Sequence, residues 1–500
     1  MIQRFVTRVV FGVCLAILLN LDAFSAPLQV QFTAEPTQYD PLFLEDGTAL
    51  KLAANTLGTA YYYDGRGERQ KGLMEGCSIS RDRLRYSCRF KKGLKWSDGK
   101  PFHAEQFLLA LRRLVTEPVK GALSNLYPPI DLKNTMVRDS RTIEILLKEQ
   151  DEQFLNWMTT PAFAPVRKDI LELYEKNHSP VVPTLGAYEV VEYKRDSHVL
   201  LRKNPEYYAA GEVSIPEVKI RFIPEEASLL PLMKAGTIDI LSKVPVLQLK
   251  QIGELASVVE VPVEAVTYLA FNTKKPPFNE KANRIAVRNA LLISKRVDLA
   301  KLLRTGERGA PSFLPTILAP GGYRREWIIP ELKHPPAVRF KIQSDSGSRN
   351  QTLLEFVQNE LKEDLGWKAE LDLLDWKAHY SKLKTDPDEA YRFGWQNPVS
   401  DPSIVYEVLS ANSPNNFTGW SNKEFDGLVD ELHQESRLVK RSKLIYEIES
   451  ILWEEAPVVP LLHQVLRFAV SKRVSGFRAN PFGVILFREL RFNENPGPEN

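Results

Sequence analysis

The chain has 500 residues, 43% of them hydrophobic and 26% charged, with a formal net charge of +3. That balance argues against a surface dedicated to nucleic acid, and the composition is that of an ordinary globular protein. The length exceeds what one hydrophobic core supports, so at least two lobes are expected.

At the N-terminus, Arg4 and Arg8 precede an apolar run from Val9 to Leu19 and a short polar stretch reaching Ala23-Phe24-Ser25. This order reads as a secretory signal, residues 1 to 25, with cleavage expected after Ser25. The apolar run is shorter than the roughly 20 residues of a membrane span. Cys14 sits inside the run without a lipoprotein-box context. Next, residues 73 to 79 and 84 to 90 read as the strands of a hairpin around Ser80-Arg81-Asp82-Arg83, with Cys77 opposite Cys88. In an oxidising compartment a disulfide there closes a short loop, worth about 3 kcal/mol. Two small buried thiols are the other reading.

Gly93 to Pro101 imitates a phosphate-binding loop but has the wrong spacing, and proline stands where a magnesium-binding hydroxyl is needed. Phe107, Leu111 and Leu114 then share one helix face. Leu232 to Ala235, Gly236 and Ile238-Asp239-Ile240 read as helix, glycine stop and strand. Val338 to Ile342 alternates as a strand, and Leu353, Leu354, Val357 and Leu361 follow at helical spacing. Gly366 stops that helix, and Ala369 to Leu374 is again a strand, so 338 to 374 reads as a βαβ unit with a parallel pair. Both halves of the chain are therefore expected to be α/β. Ser421 with Glu424 reads as a capping box ahead of Phe425, Leu428, Val429 and Leu432. A last helix through Leu444, Ile448, Ile451 and Leu452 ends before Pro457, and Asn493 to Asn500 reads as a loose tail.

No constellation points to chemistry at a catalytic centre. The seven histidines are scattered without metal-ligand spacing, no Gly-x-Ser-x-Gly elbow occurs, and no pair of carboxylates stands out. No catalytic residue, metal or cofactor is expected. Aromatic residues cluster near expected loops, among them Tyr61-Tyr62-Tyr63, Trp96, Trp367, Trp376, Trp395 and Trp420. Taken singly, each is read first as core filler or a surface staple.

The stretch Leu94-Lys-Trp-Ser-Asp-Gly-Lys-Pro-Phe-His-Ala-Glu-Gln-Phe107 resembles the signature of family 5 extracellular solute-binding proteins. Further similar elements follow in the family's order. They are Pro183 to Tyr188, Asn204-Pro-Glu-Tyr-Tyr208, Gly236-Thr-Ile-Asp239, Phe271-Asn272 with Pro277-Phe278-Asn279, and Val287-Arg288-Asn289-Ala290. Gly394-Trp395 with Asp401-Pro402, Asn415-Asn416 and Phe425-Asp426 complete the series. The resemblance implies an α/β fold of two lobes, the large three-subdomain form of the periplasmic binding proteins, with a ligand cleft between them. Lobe I would span 26–267 with an inserted subdomain at about 46–182. Lobe II would span 268–465, and 466–500 would return to lobe I and end in the tail. Hinges are expected near Tyr268 to Asn272 and Leu461 to Phe468.

The same resemblance implies that an extended peptide pairs with strands of both lobes, at Thr33-Ala34-Glu35 and at Gly394-Trp395-Gln396. Asn272, Asp401, Asn415 and Asn416 join the implied ligand-binding set. One departure bears on the ligand. Where oligopeptide-binding members carry an aspartate that pairs with the ligand's ammonium group, this chain has Pro398. Asp401 is the nearby substitute, with a turn or helix cap before Pro402 as its other reading. His103 stands where the family has threonine, and Cys77 and Cys88 stand where its N-terminal hairpin has tryptophan and phenylalanine. The expected function is a monomeric periplasmic protein that captures a peptide or peptide-like solute for the membrane subunits of an ABC importer. The other readings are the same fold with a nickel complex, a sugar or a cell-wall peptide as ligand, and an exported hydrolase.

Overall fold

The computed structural model describes residues 26–44, 46–117, 127–177, 179–319 and 336–493. The expected signal segment lies outside the described residues, as do all but the first residue of the expected tail. An eleven-stranded sheet runs through the molecule, and its strands are labelled in chain order. They are β1 (Leu28–Phe32), β2 (Tyr188–Lys194), β3 (His198–Lys203), β4 (Glu217–Phe222), β5 (Ile240–Leu241) and β6 (Ala256–Phe271), then β7 (Arg308–Gly309), β8 (Arg339–Asp345), β9 (Lys368–Leu374), β10 (Ala390–Gln396) and β11 (Val458–Ser471). The spatial order is β9-β8-β10-β6-β11-β5-β1-β4-β3-β2, with β7 beside β11.

Two long strands hold the halves of this sheet together. Residues 256–262 of β6 pair antiparallel with 465–471 of β11, beside β5 and β1. Past a register break between Pro262 and Val266, β6 pairs with β10 on one edge and with residues 458–463 of β11 on the other. The change of partners begins between Pro262 and Val266, and a second register shift falls between Thr267 and Tyr268. Tyr268 and Leu269 are ladder residues facing Phe393 and Arg392. On β11 the corresponding break lies between His463 and Val465.

The βαβ unit forms where periodicity placed it. Arg339–Asp345 and Lys368–Leu374 pair in parallel around helix α2 (Ser348–Leu365), whose buried face carries Leu353, Leu354, Val357 and Leu361. Gly366 ends the helix in the left-handed region, at φ +68, where a β-carbon is strained. The 94–107 signature is architecture. Trp96 is buried and donates its Nε1 hydrogen at 2.9 Å to Gln106 in the first turn of helix α1 (Ala104–Thr116), while Asp98 pairs with Arg167 at 2.8 Å. In the hairpin of Met74–Ile79 and Arg85–Phe90, Cys77 lies opposite Cys88 and the two form a disulfide. Arg83 takes the positive-φ position of its turn.

Three helices near the site complete the frame: α3 (Trp376–Thr385), α4 (Pro402–Glu407) and α5 (Lys423–Gln434). A fourth, α6 (Leu438–Glu455), packs on α5. The cap of α5 is Asn422, whose side chain accepts from the Glu424 and Phe425 amides. The expected cap, Ser421, is therefore one residue too early. One core joins buried side chains of the 46–182 segment, such as Phe107 and Trp157, to Tyr268, Tyr391 and Tyr406 across the sheet. The strands from β1 to β4 bury a second core, and β8, β9 and α2 a third.

Candidate functional site

The carboxyl ends of two strands converge on the register break in β6. Gln396, the last residue of β10, lies opposite Ala265. From the other side, Val30 and Gln31 of β1 align with Ile240 and Leu241, which face Val470 and Ala469, so β1 runs toward the same level of β11. Open α/β sheets take ligands at the carboxyl ends of their strands, where the order of connections reverses.

Backbone phase decides what β10 offers there. The Asn272 amide donates to Glu389 O and the Asn397 amide to Glu264 O, each at 2.9 Å. In an antiparallel ladder such bonds alternate, so the odd-numbered residues of β10 point their backbone groups at β6. Gly394 and Gln396 point theirs at the opposite edge, where β8 pairs with Ala390 and Tyr391 and then diverges. Thr33 and Ala34 are exposed and follow the last paired residue of β1. Glu35 is held back, its carboxylate accepting from the Tyr193 hydroxyl and the Asp196 amide.

Around this edge the walls are braced. Trp395 is 6% exposed and donates to Asn397 Oδ1 at 3.3 Å, so it fills the core beneath the strand. Trp376, at the start of α3, is 53% exposed and stacks nearly parallel on Phe393 and Tyr380. Asp401 caps α4 and meets Arg441 at 2.5 Å with both side chains buried, so its charge is already compensated. Asn272 donates to Pro387 O and accepts from the Lys274 amide. Asn416 donates to Leu409 O and Trp420 O, and Asn415 is buried beside it. The structure thus brings Gly394, Trp395, Gln396 and Asp401 together, and it spends Asn272, Asn416 and Asp401 on scaffold bonds.

Sequence reasoning missed Glu264, which sits inside the β6 break. It is 1% exposed. Its carboxylate accepts from Ser400 Oγ at 2.5 Å and from Asn397 Nδ2 at 3.4 Å, and its amide donates to Pro481 O. Burial pushes its pKa up to about 7, against the pull of the Ser400 and Asn397 hydrogen bonds. The Tyr63 hydroxyl accepts from the Ser400 amide at 3.3 Å, and Gln396 donates to Phe482 O at 3.2 Å. No spacing rule reaches this node, whose members come from four distant stretches of chain.

A second contact joins the 46–182 segment to α5 and α4. Asp151 Oδ1 lies 3.3 Å from His433 Nε2 on α5, and His433 Nδ1 lies 3.3 Å from Ser403 Oγ on α4. Burial would lower the His433 pKa, but the hydrogen bond and charge of Asp151, with Asp401 and Glu407 behind, raise it above the ordinary value.

Two lobes of one twisted sheet, two crossing strands and an open strand edge at their junction define a binding protein of the periplasmic type. The chain belongs to the bacterial extracellular solute-binding proteins: the model described as "Bacterial extracellular solute-binding proteins, family 5 Middle" matches residues 68–320. The probable deoxycholate-binding periplasmic protein YgiS of Escherichia coli is 24% identical, covering 91% of this chain and 92% of that protein. The dipeptide-binding protein DppE of Bacillus subtilis is 22% identical over 92% and 90%. Among solved structures, the Escherichia coli murein tripeptide binding protein MppA superposes with a TM-score of 0.80 at 19% identity, covering 94% of this chain and all of that one. Among the described residues no helix is long and apolar enough to cross a membrane.

Proposed function

We propose that this protein is exported to the periplasm, captures a peptide or peptide-like solute in the cleft, and presents it to the membrane subunits of an ABC importer. The observation that carries this reading is the edge of β10 at Gly394 and Gln396, which no strand pairs among the described residues, together with the exposed run-out of β1 at Thr33 and Ala34. An extended backbone adds to such an edge as a further strand, and main-chain hydrogen bonds supply affinity without demanding a side-chain sequence. Relatives named for dipeptides and for murein tripeptide support a peptide, and one named for deoxycholate marks how far ligands vary within the fold.

In this reading lobe I ends at the Pro262 to Val266 break, lobe II runs from there to His463, and β11 returns the chain to lobe I, with 46–182 as the inserted subdomain. Asn272, Asp401, Asn415 and Asn416 hold the cleft walls, while Thr33, Ala34, Gly394 and Gln396 meet the ligand backbone. The role is binding without catalysis. The chain Asp151–His433–Ser403 has the residue types of a hydrolase triad, but Ser403 is 1% exposed and donates to Asp401 at 2.6 Å, so it acts as a strut. Tryptophan fluorescence and native mass measured against peptide pools test the proposal. Saturable binding of short peptides by a monomer is expected, and a folded protein that binds none of them overturns it.

A further inference from the structure

The turn at 480–483 is anchored by bonds that owe nothing to β10. Asn480 is buried, its Oδ1 accepts from the Phe482 and Val484 amides at 3.1 Å each, and its Nδ2 donates to Tyr63 O at 3.4 Å. The Phe482 ring lies 5.0 Å from that of Tyr63, and a β-carbon at Gly67 would come within 2.7 Å of the Pro481 ring. Pro481 O accepts from the Glu264 amide at 2.9 Å, inside the β6 break. The turn is thus held by its own asparagine, by the 46–182 segment and by a crossing strand. From β10, the exposed Gln396 side chain reaches over and donates to Phe482 O at 3.2 Å. Gln396 ends β10, and its backbone groups face the edge that no strand pairs among the described residues. Its main chain therefore meets the cleft while its side chain meets a fixed turn. In the division proposed above, that turn belongs to lobe I and Gln396 to lobe II.

We propose that Gln396 is a positioning residue for closure: its bond to Phe482 O straps lobe II to lobe I, and a peptide backbone pairing with Gln396 favours the strapped form. This rests on the capture reading. A ligand moves an equilibrium between open and closed forms only by binding the closed form better. Pairing fixes the backbone of the last residue of β10, and that in turn directs its side chain at the Phe482 carbonyl. The strap asks nothing of the ligand's side chains, which suits capture through the main chain. A contact made in the closed form alone raises the apparent affinity by the extent to which it populates that form.

The experiment compares the wild type with Gln396→Met, which keeps the reach of the side chain but cannot donate, and with Gln396→Lys, which can. Small-angle scattering is titrated with an equimolar mixture of dialanine, trialanine and tetra-alanine, and hydrogen exchange is followed without peptide. Circular dichroism establishes that each variant is folded. The peptide concentration at the midpoint of compaction should rise about 3- to 10-fold in Gln396→Met, the range of one hydrogen bond, and fall back in Gln396→Lys. Without peptide, the Glu264 and Gly483 amides, which donate to Pro481 O and Asn480 O, should exchange faster in Gln396→Met. Equal midpoints overturn the strap and leave peptide capture standing. A raised midpoint with unchanged exchange makes Gln396 a ligand contact alone and also overturns it, as does a Gln396→Lys that recovers neither value. If the wild type binds none of the peptides, capture falls and the protein without peptide decides the strap. Faster exchange and a larger radius of gyration in Gln396→Met then support it, and no change in either overturns it as well.

Discussion

Glu264 carries a stability signature that needs no ligand. Its pKa, near 4.5 in an unfolded chain, is about 7 in the fold, so the native state holds a proton that the unfolded state has released. Stability therefore falls as pH rises from about 4.5 to about 7 and stays lower above it. Glu264→Gln keeps the shape and removes the charge. It should stabilise the empty protein by about 2 kcal/mol near pH 8 and by much less near pH 5, as measured by urea unfolding at both values. Arg441 gives the opposite result. Its guanidinium meets Asp401 with both groups buried. Arg441→Met should destabilise by about 3 kcal/mol or more, because it leaves a buried charge without a partner. Glu264 was invisible in the sequence, because nothing local distinguishes it from other acidic residues in a β-strand. Asp401 was partly legible, since the Asp-Pro pair announces a helix cap, and it caps α4 in the structure.

At the scale of elements, local rules read well where a single segment settles the outcome. The βαβ unit from 339 to 374 follows from a period of 2, then 3.6, then 2, with Gly366 as punctuation. The cap of α5 was misplaced by one residue because serine and asparagine are both good caps, and only the chain's approach angle selects Asn422. The hairpin of Met74–Ile79 and Arg85–Phe90 is closed by its disulfide over a sequence separation of 11. Replacing both cysteines by serine should lower stability by about 3 kcal/mol in the chain-entropy account. The loss should centre on the 46–182 segment, with faster proteolysis at the Arg81 to Arg83 turn while β6 and β11 stay protected from hydrogen exchange.

At the scale of the molecule, the contact between Asp151 and His433 ties the 46–182 segment to α5 and α4. The groups that face His433 are Asp151, Asp401 and Glu407, and Asp430 lies close to Glu407. The folded pKa of His433 is raised, so its pairing contributes fully below its ordinary value and is lost as pH rises through the raised one. The pKa of Glu407 is pushed up to about 7 by burial, with His433 acting against the shift and Asp151 and Asp430 for it, and it too favours the contact at low pH. Small-angle scattering of the empty protein should therefore show a more compact form at about pH 5.5 than at about pH 8. His433→Gln should flatten that difference.

The sequence by itself determined the alternation of strands and helices, the cysteine hairpin and the family signature, because each is written within a few dozen contiguous residues. Only the tertiary structure decided that β6 shifts register between Pro262 and Val266 and that, among the described residues, no strand pairs with β10 at Gly394 and Gln396 and no cation pairs with the buried Glu264. Those outcomes depend on ladder phase and on which distant segments meet. Glu264 and Ser400 are 136 residues apart, and Asn480 reaches Tyr63 across 417. Periodicity carries no information at such separations, whereas burial, which sets the charge state of Glu264, depends on nothing else.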